Sequence, residues 1–133
     1  MDIIERIDPI AHKKDLMYPE HFGRYAFASQ FVKNKVVLDV ACGNGYGSHY
    51  LATRGKASRV YGVDLAIEAI NYSRSHFQTK NIEFIQGDAT KMTFIPDHSV
   101  DVVVSFETIE HVSDYNFYLS GIERVLKPRG MLV

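Results

Sequence analysis

Short apolar runs alternate with helical stretches along most of the chain. The apolar runs predict buried strands, and they cover Val36–Val40, Arg59–Val63, Ile82–Ile85, Val100–Ser105 and Met131–Val133. The stretches between them predict helices at about 46–54, at Ala66–Phe77 and at Tyr115–Leu126, where Phe117, Ile122 and Val125 share one side and Lys127-Pro128-Arg129-Gly130 ends the helix. Strand–helix alternation with nearly continuous apolar strands favours an α/β fold whose parallel sheet is covered on both faces.

Residues 1–35 precede this alternation and are predicted to form an arm and one helix. The first 17 residues have weak periodicity. Pro19 suits the first position of a helix, where its missing N–H is not needed. The helix would continue through HFGRYAFASQFV, with an apolar face made of Phe22, Ala26 and Phe27, or of Ala26, Gln30 and their neighbours. Residues 36–133 then form the α/β core.

Composition and charge narrow the class of protein. The 133 residues suffice for one domain, and the net charge of -1 gives no electrostatic reason to expect nucleic acid or an anionic membrane as a partner. No apolar run approaches the roughly 18 residues of a membrane span, and the mixed charges of the N-terminus are unlike a signal peptide. The single cysteine, Cys42, excludes an internal disulfide. These features favour a cytoplasmic protein.

A glycine-rich loop follows the first predicted strand. The segment ACGNGYG places Gly43, Gly45 and Gly47 at alternate positions. Glycine lets a ligand approach the main chain closely, so the loop indicates a nucleotide-type site. The spacing differs from the dinucleotide fingerprint, which calls for glycine or alanine at Ser48, and the chain contains no phosphate-loop motif.

Two acidic residues follow the next two strands. Asp64 ends the second strand about 20 residues past the glycine loop, where a carboxylate suits the two hydroxyls of a ribose. The alternative is that Asp64 caps the helix that begins near AIEAI. Asp88 follows the strand IEFI, where its carboxylate suits an adenine amino group and the Ala89 N–H a ring nitrogen. The alternative there is an ordinary turn.

Five segments in order resemble the motifs of class I S-adenosylmethionine-dependent methyltransferases. They are VLDVACGNGYG, YGVDL, QGDAT, DVVVSFETIEHV and RVLKPRGMLV, and they span nearly the whole chain from residue 36 onward. The upstream ERIDP and EHFGRYAFASQFV resemble a narrower bacterial branch, of type 11-like methyltransferases, often associated with glycan biosynthesis. The resemblance implies a Rossmann-like sheet of strand order 3-2-1-4-5, lacking the C-terminal antiparallel strands that complete family folds carry.

The resemblance also implies roles for individual residues toward S-adenosylmethionine and its product S-adenosylhomocysteine. Asp39 would meet the ammonium group, and Ala41 stands where the family usually has glycine. The expected cofactor-binding residues are Asp39, Ala41, Gly43 and Gly45 around the methionine moiety, Asp64 and Leu65 at the ribose, Asp88 and Ala89 at the adenine, and the backbone carbonyl of Ser105 near the methionine end. Cys42 is expected to be a small loop residue.

Other candidate residues leave alternatives open. Glu107, Glu110 and His111 have a spacing that suits a metal, but the same letters occur in metal-free relatives, and we expect no tightly bound metal. His111 is the candidate general base. Arg24 and Tyr25 would fold over the cofactor as a lid, or Tyr25 would be core and Arg24 surface.

The expected function is methyl transfer to a small-molecule or glycan-related acceptor. The alternatives are a cofactor-binding module without catalysis and an NAD-binding oxidoreductase, which the glycine spacing disfavours. The open edge of the fifth strand also predicts self-association as a homodimer.

Overall fold

The structure, a computed structural model, describes residues 17–106 and 115–133, with side chains from Phe22 onward. The strands are β1 Val36–Val40, β2 Arg59–Asp64, β3 Ile82–Gln86, β4 Val100–Ser105 and β5 Leu126–Leu132. The α-helices are α1 Met17–Ala28, α2 Tyr46–Thr53, α3 Ile67–His76 and α4 Tyr115–Val125, and a 3-10 turn spans Ser29–Phe31. No helix within these ranges combines the length and the apolar character needed to cross a membrane.

The five strands form one sheet in the order β3-β2-β1-β4-β5. This is the predicted strand order. Every neighbouring pair is parallel, as predicted. Val40 at the end of β1 pairs with Val63 on one side and with Ser105 on the other. The carboxyl ends of the central strands therefore lie level, and the loops that follow them share one edge of the sheet.

Successive residues of β1 serve opposite faces of the sheet, as the two-residue period of a strand requires. Val37 belongs to a core cluster with residues of α1, α2 and α3. Leu38 and Val40 belong to a second cluster with residues of α4. Each fully buried aliphatic side chain stabilises the fold by roughly 1.5–3 kcal/mol. Both faces are thus covered, as the nearly continuous apolar strands predict.

The predictions that Lys127-Pro128-Arg129-Gly130 ends the last helix and that the fifth strand begins at Met131 are wrong. β5 begins directly after α4, and Leu126 already pairs with Val100. The next pair joins Met131 to Val102, so five positions along β5 oppose two along β4. Pro128 has no N–H to donate to the ladder, and a bulge accommodates the surplus residues. The letters KPRG therefore mark an irregularity inside the strand.

The apolar faces predicted for two helices are partly wrong. In α1, Tyr25 and Ala28 are buried, whereas Phe27 is exposed. In α4, Tyr118 is buried together with Ile122 and Val125, as their spacing allows, but Phe117 is exposed. The side chains of two consecutive residues point in directions only about 100° apart around a helix. The packing against the sheet decides which of the two faces inward.

Candidate functional site

The ends of β1, β2, β3 and β4 bring most of the predicted cofactor-binding residues to one edge of the sheet. Asp39 is the penultimate residue of β1, Asp64 ends β2, and Ser105 ends β4. Asp88 lies two residues beyond the last residue of β3. In an open parallel sheet, the crevice beyond the carboxyl ends of the strands is where ligands bind. The site therefore lies where the alternation of strands and helices predicts it.

The glycine loop is fastened to β2 by backbone and side-chain hydrogen bonds. The N–H of Cys42 donates to the carbonyl of Val63 at 2.9 Å. The N–H of Gly43 donates to Oδ2 of Asp64 at 3.0 Å. The Asp64 carboxylate accepts a second backbone bond at Oδ1, from Ala66 at 2.9 Å. The buried Asp64 thus joins the glycine loop to the start of α3.

The alternative interpretation, that Asp64 caps α3, is correct only in part. The N-cap position of α3 belongs to Ala66, whose side chain makes no capping hydrogen bond. Asp64 lies two residues before it and accepts the Ala66 N–H. Leu65 lies between them and is exposed. The Asp64 carboxylate thus organises the loop and remains at the edge of the sheet, where the ribose assignment requires it.

Two glycines of the loop make room for other parts of the protein. A Cβ at Gly45, whose φ is +96°, would stand 2.6 Å from Oγ of Ser73. A Cβ at Gly47 would stand 2.2 Å from the ring of Tyr25. Ser73 uses the space to donate a hydrogen bond to the carbonyl of Gly43 at 3.2 Å. The interpretation that these glycines make room for a ligand is therefore incomplete, because side chains of α1 and α3 use the space.

A buried polar network surrounds the Asp39 carboxylate. The Tyr25 hydroxyl donates to Oδ1 at 3.0 Å and to Oδ2 at 3.2 Å. The Ser48 hydroxyl donates to Oδ2 at 2.7 Å. Burial raises the pKa of Asp39 from 3.8 to about 7, although both hydrogen bonds oppose the shift. In the sequence Ser48 stands out only as a departure from the dinucleotide fingerprint, and no local pattern indicates its contact with the carboxylate.

Tyr25 is both a core residue and part of the site. Its ring packs edge-on against Tyr46 at 5.5 Å and against Phe106 at 5.1 Å between ring centroids. Burial, with the nearby charge of Asp39, raises the pKa of the Tyr25 phenol well above its ordinary value. The phenol therefore stays protonated and remains a donor. Arg24 beside it is half-buried.

The loop after β3 is organised by Asp88. Its Oδ1 accepts hydrogen bonds from the Thr90 N–H at 2.9 Å and the Thr90 hydroxyl at 2.8 Å. The Thr90 N–H is the main reason that the pKa of Asp88 lies below its ordinary value. The turn that the sequence offered as an alternative is present. Ala89 is half-buried and packs against the core cluster on the α4 face.

The end of β4 joins the site to α4. The Ser105 hydroxyl forms a hydrogen bond with the Tyr118 hydroxyl. The backbone N–H of Ser105 donates to the carbonyl of Val133 at 3.1 Å. Its own backbone carbonyl, the group assigned to the methionine end, lies at the level of Val40 because those two residues pair.

Comparison with known proteins identifies the family. Residues 38–133 match the family described as methyltransferase domain. The chain belongs to this family. It is 36% identical over 99 residues to a fatty-acid O-methyltransferase of Mycolicibacterium smegmatis, covering 74% of this chain and 36% of that protein. It is 33% identical over 104 residues to a ubiquinone biosynthesis O-methyltransferase of Neisseria meningitidis, covering 76% of this chain and 43% of that protein.

Solved structures agree with the family assignment. A structure of an S-adenosylmethionine-dependent methyltransferase from Aquifex aeolicus matches with a TM-score of 0.72 and 29% identity, over 92% of this chain and 69% of that one. These matches confirm the class I methyltransferase resemblance, and the family's cofactor is S-adenosylmethionine. The chain spans roughly a third to a half of the length of the curated relatives named above.

The site of this methyltransferase domain fits the amino group of that cofactor. The Asp39 carboxylate is fully buried, and the donors that reach it from the described residues are the neutral hydroxyls of Tyr25 and Ser48. A buried carboxylate is stabilised by an opposite charge with good hydrogen-bond geometry. An ammonium group supplies both. Asp39 is therefore suited to the role that the family resemblance implies.

Three candidate residues, Glu107, Glu110 and His111, lie outside the described residues. The metal-free state of this segment and the role of His111 as a base stay predictions. In the part of the chain that the structure describes, no three His, Cys, Asp or Glu side chains come together as a metal site would require. Cys42 is buried within the loop.

Proposed function

We propose that this methyltransferase domain transfers the methyl group of S-adenosylmethionine to an oxygen atom of a small-molecule acceptor. The observation that carries the proposal is the placement of two buried carboxylates on either side of the glycine loop. Asp39 precedes the loop on β1, and Asp64 on β2 accepts the Gly43 N–H at 3.0 Å. Asp39 suits the cofactor's ammonium group, and Asp64 suits its ribose hydroxyls.

The reaction requires the protein to hold the cofactor and the acceptor in position. The bound cofactor would supply an activated methyl group: an acceptor oxygen would form a bond to the methyl carbon as the carbon–sulfur bond breaks, with S-adenosylhomocysteine as the leaving group. Holding two reactants in such a geometry contributes roughly 7–11 kcal/mol to lowering a barrier. Asp39, Asp64 and the glycine loop would hold the amino-acid end and the ribose of the cofactor in one orientation. His111 stays the candidate for removing a proton from the acceptor hydroxyl.

Residues 1–35 act in this proposal as a cap on the cofactor. The support is the contact between α1 and the site, because Tyr25 covers Gly47 and reaches the Asp39 carboxylate. A ligand group that binds Asp39 must share that carboxylate with the Tyr25 phenol. On this proposal, occupation of the site would affect the packing of α1.

The oxygen acceptor is supported by the relatives. Two of them are named as O-methyltransferases, one acting on fatty acids and one in ubiquinone biosynthesis. A third, from Mycobacterium leprae, is 32% identical over 101 residues and is named for phthiotriol and phenolphthiotriol dimycocerosates. These names favour a lipid or other apolar small molecule. The glycan-related acceptor rests on the resemblance of the upstream segment alone.

Binding and turnover test different parts of the proposal. Calorimetry with S-adenosylhomocysteine should show stoichiometric binding, and calorimetry with NAD should show none. The reverse result would favour the oxidoreductase alternative. Methyl transfer should then be measured on the longest product of the gene, using methyl-labelled S-adenosylmethionine with fatty acids, catechols and sugars as acceptors. Binding without transfer to any acceptor would favour a module that lacks catalysis.

A further inference from the structure

Asn44 carries a buried donor without a partner in the glycine loop. The residue is 7% exposed, and across the described residues no acceptor lies within hydrogen-bond distance of its Nδ2 atom. Its Oδ1 atom accepts a hydrogen bond from the Tyr46 N–H at 3.2 Å. Buried amide nitrogens are usually hydrogen-bonded, so an exception needs a physical explanation.

The orientation of this amide is fixed by its neighbour. The Tyr46 N–H is a donor and requires the oxygen of Asn44, whereas a flipped amide would bring two donors together. The nitrogen therefore occupies the other branch of the same planar group. Since Tyr46 is the first residue of α2, the unpartnered donor lies at the N-terminus of that helix.

The same helix end offers further positive character. The first turn of α2 contains no acidic residue, and its N-cap, Gly45, has no side chain to cap it. The first N–H groups of a helix have no partner within the helix, and they carry the positive end of its dipole. Such an end binds anions such as carboxylates and phosphates. Asn44 adds a side-chain donor to it.

The position of Asp39 indicates which anion this is. Ser48, the third residue of α2, donates to Asp39 at 2.7 Å, so the Asp39 carboxylate lies against the first turn of the helix. In an amino acid, the ammonium and the carboxylate are attached to the same carbon atom. An amino acid whose ammonium meets Asp39 therefore places its carboxylate near the N-terminus of α2.

We propose that Nδ2 of Asn44 donates a hydrogen bond to the carboxylate of the cofactor's amino-acid end. This inference rests on the proposed function and adds to it a residue that selects for an intact amino acid. The donor is shielded from water in the free protein. A carboxylate that reaches it therefore gains a charge-assisted hydrogen bond without first displacing water from the amide.

The test uses three ligands that differ only at the amino-acid end. They are S-adenosylhomocysteine, its analogue without the carboxylate, and 5′-methylthioadenosine, which lacks both charged groups. The variant Asn44→Asp keeps an oxygen for the Tyr46 N–H but replaces the donor with a negative oxygen. We expect it to bind S-adenosylhomocysteine at least tenfold more weakly by calorimetry. It should bind the other two ligands as tightly as the wild type, or more tightly in the case of the analogue that keeps its ammonium group.

Two further variants keep the test decisive. Asn34→Asp adds the same charge at an exposed turn and should leave all three affinities unchanged. If Asn44→Asp does not fold, Asn44→Ala should still lose affinity for S-adenosylhomocysteine alone. An equal effect on all three ligands, or no effect on any, would overturn the inference while leaving the proposed function intact. A wild-type chain that binds no S-adenosylhomocysteine would overturn both.

Discussion

The phenol of Tyr25 donates hydrogen bonds to both carboxylate oxygens of Asp39, at 3.0 and 3.2 Å. This contact joins α1 to the carboxyl end of β1, beside the glycine loop. It also places a neutral donor on the carboxylate that we assign to the cofactor's ammonium group. We therefore expect the stability of α1 and the binding of the cofactor to be linked through this carboxylate.

Replacing Tyr25 with phenylalanine tests the energetic weight of this contact. The substitution keeps the ring over Gly47 but removes the donor from a buried carboxylate. Hydrogen bonds to charged groups contribute about 1.5–3 kcal/mol, so we expect a loss of that size in urea unfolding at pH 8. Tyr50→Phe is the matched control, because the Tyr50 ring is only partly buried, packed edge-on against Phe22 at 5.0 Å. Equal losses in the two variants would contradict the prediction.

The raised pKa of Asp39 predicts how stability depends on pH. The folded protein holds the Asp39 proton up to about pH 7, whereas an ordinary carboxyl releases it near 3.8. The folded state therefore binds the proton more tightly than the unfolded state. The contribution of Asp39 to the free energy of unfolding is fully present below pH 4, falls as pH rises, and is lost above pH 7.

Asp39→Asn removes this titration. Urea unfolding at pH 5 and at pH 7.5 should show a decrease in the wild type that is smaller in the variant. Over the window, a single group changes stability by at most about 1.4 kcal/mol per pH unit. Other groups titrate in both proteins. The quantity to compare is therefore the change in the free energy of unfolding between the two pH values, in the wild type and in the variant. The same pH dependence in the two proteins would show that Asp39 is not the group responsible.

The ribose assignment predicts that Asp64 recognises two hydroxyl groups. In the wild type, 2′,3′-dideoxyadenosine should bind more weakly than adenosine, because hydrogen bonds to a carboxylate contribute about 1.5–3 kcal/mol each. In Asp64→Ala this difference should disappear. Asp64 also accepts the N–H groups of Gly43 and Ala66, so a loss of affinity in the variant does not by itself isolate the ribose contact. Measuring the difference between two ligands cancels the damage to the loop, and a difference that survives in the variant contradicts the assignment.

The backbone of Ala41 predicts a stabilising substitution. Its φ of 59° lies in the left-handed region, where a side chain costs roughly 1–2 kcal/mol. Glycine removes this strain but loses about 0.5–1 kcal/mol through the entropy of the unfolded chain. Ala41→Gly should therefore raise the free energy of unfolding by about 0.5 kcal/mol. Ala52→Gly, inside α2, should lower it by about 1 kcal/mol. A loss in both variants would show that Ala41 is not strained.

The outer edge of β5 predicts self-association. Met131 and Leu132 are 42% and 47% exposed, and among the described residues β5 pairs with β4 alone. A free strand edge is a template for pairing with a second chain. Light scattering on this 133-residue chain at several concentrations should show a dimer that Leu132→Lys weakens, while Phe117→Lys on α4 should have no effect. A monomer at every concentration would contradict this prediction.

The sequence by itself determined the sheet and the edge where the site lies. Nearly continuous apolar runs such as Val36–Val40 predict buried strands, and the helices predicted between them favour parallel pairing. The carboxyl ends of parallel strands share one edge, so the sequence alone places Asp39 and Asp64 at the same edge of the sheet. These inferences rest on the local periodicity of each segment and on the order of strands and helices along the chain. Neither requires knowledge of contacts between distant residues.

Only the tertiary structure decided which groups meet at that edge. Tyr25 and Asp39 are 14 positions apart, and no local pattern indicates that an α1 phenol reaches a β1 carboxylate. Phe117, predicted on the apolar side of α4, is exposed and Tyr118 is buried, because packing against the sheet sets the rotation of α4. The unpartnered amide of Asn44 likewise depends on where every neighbouring acceptor lies. Contacts of this kind are set by how side chains fill a shared space, which periodicity does not encode.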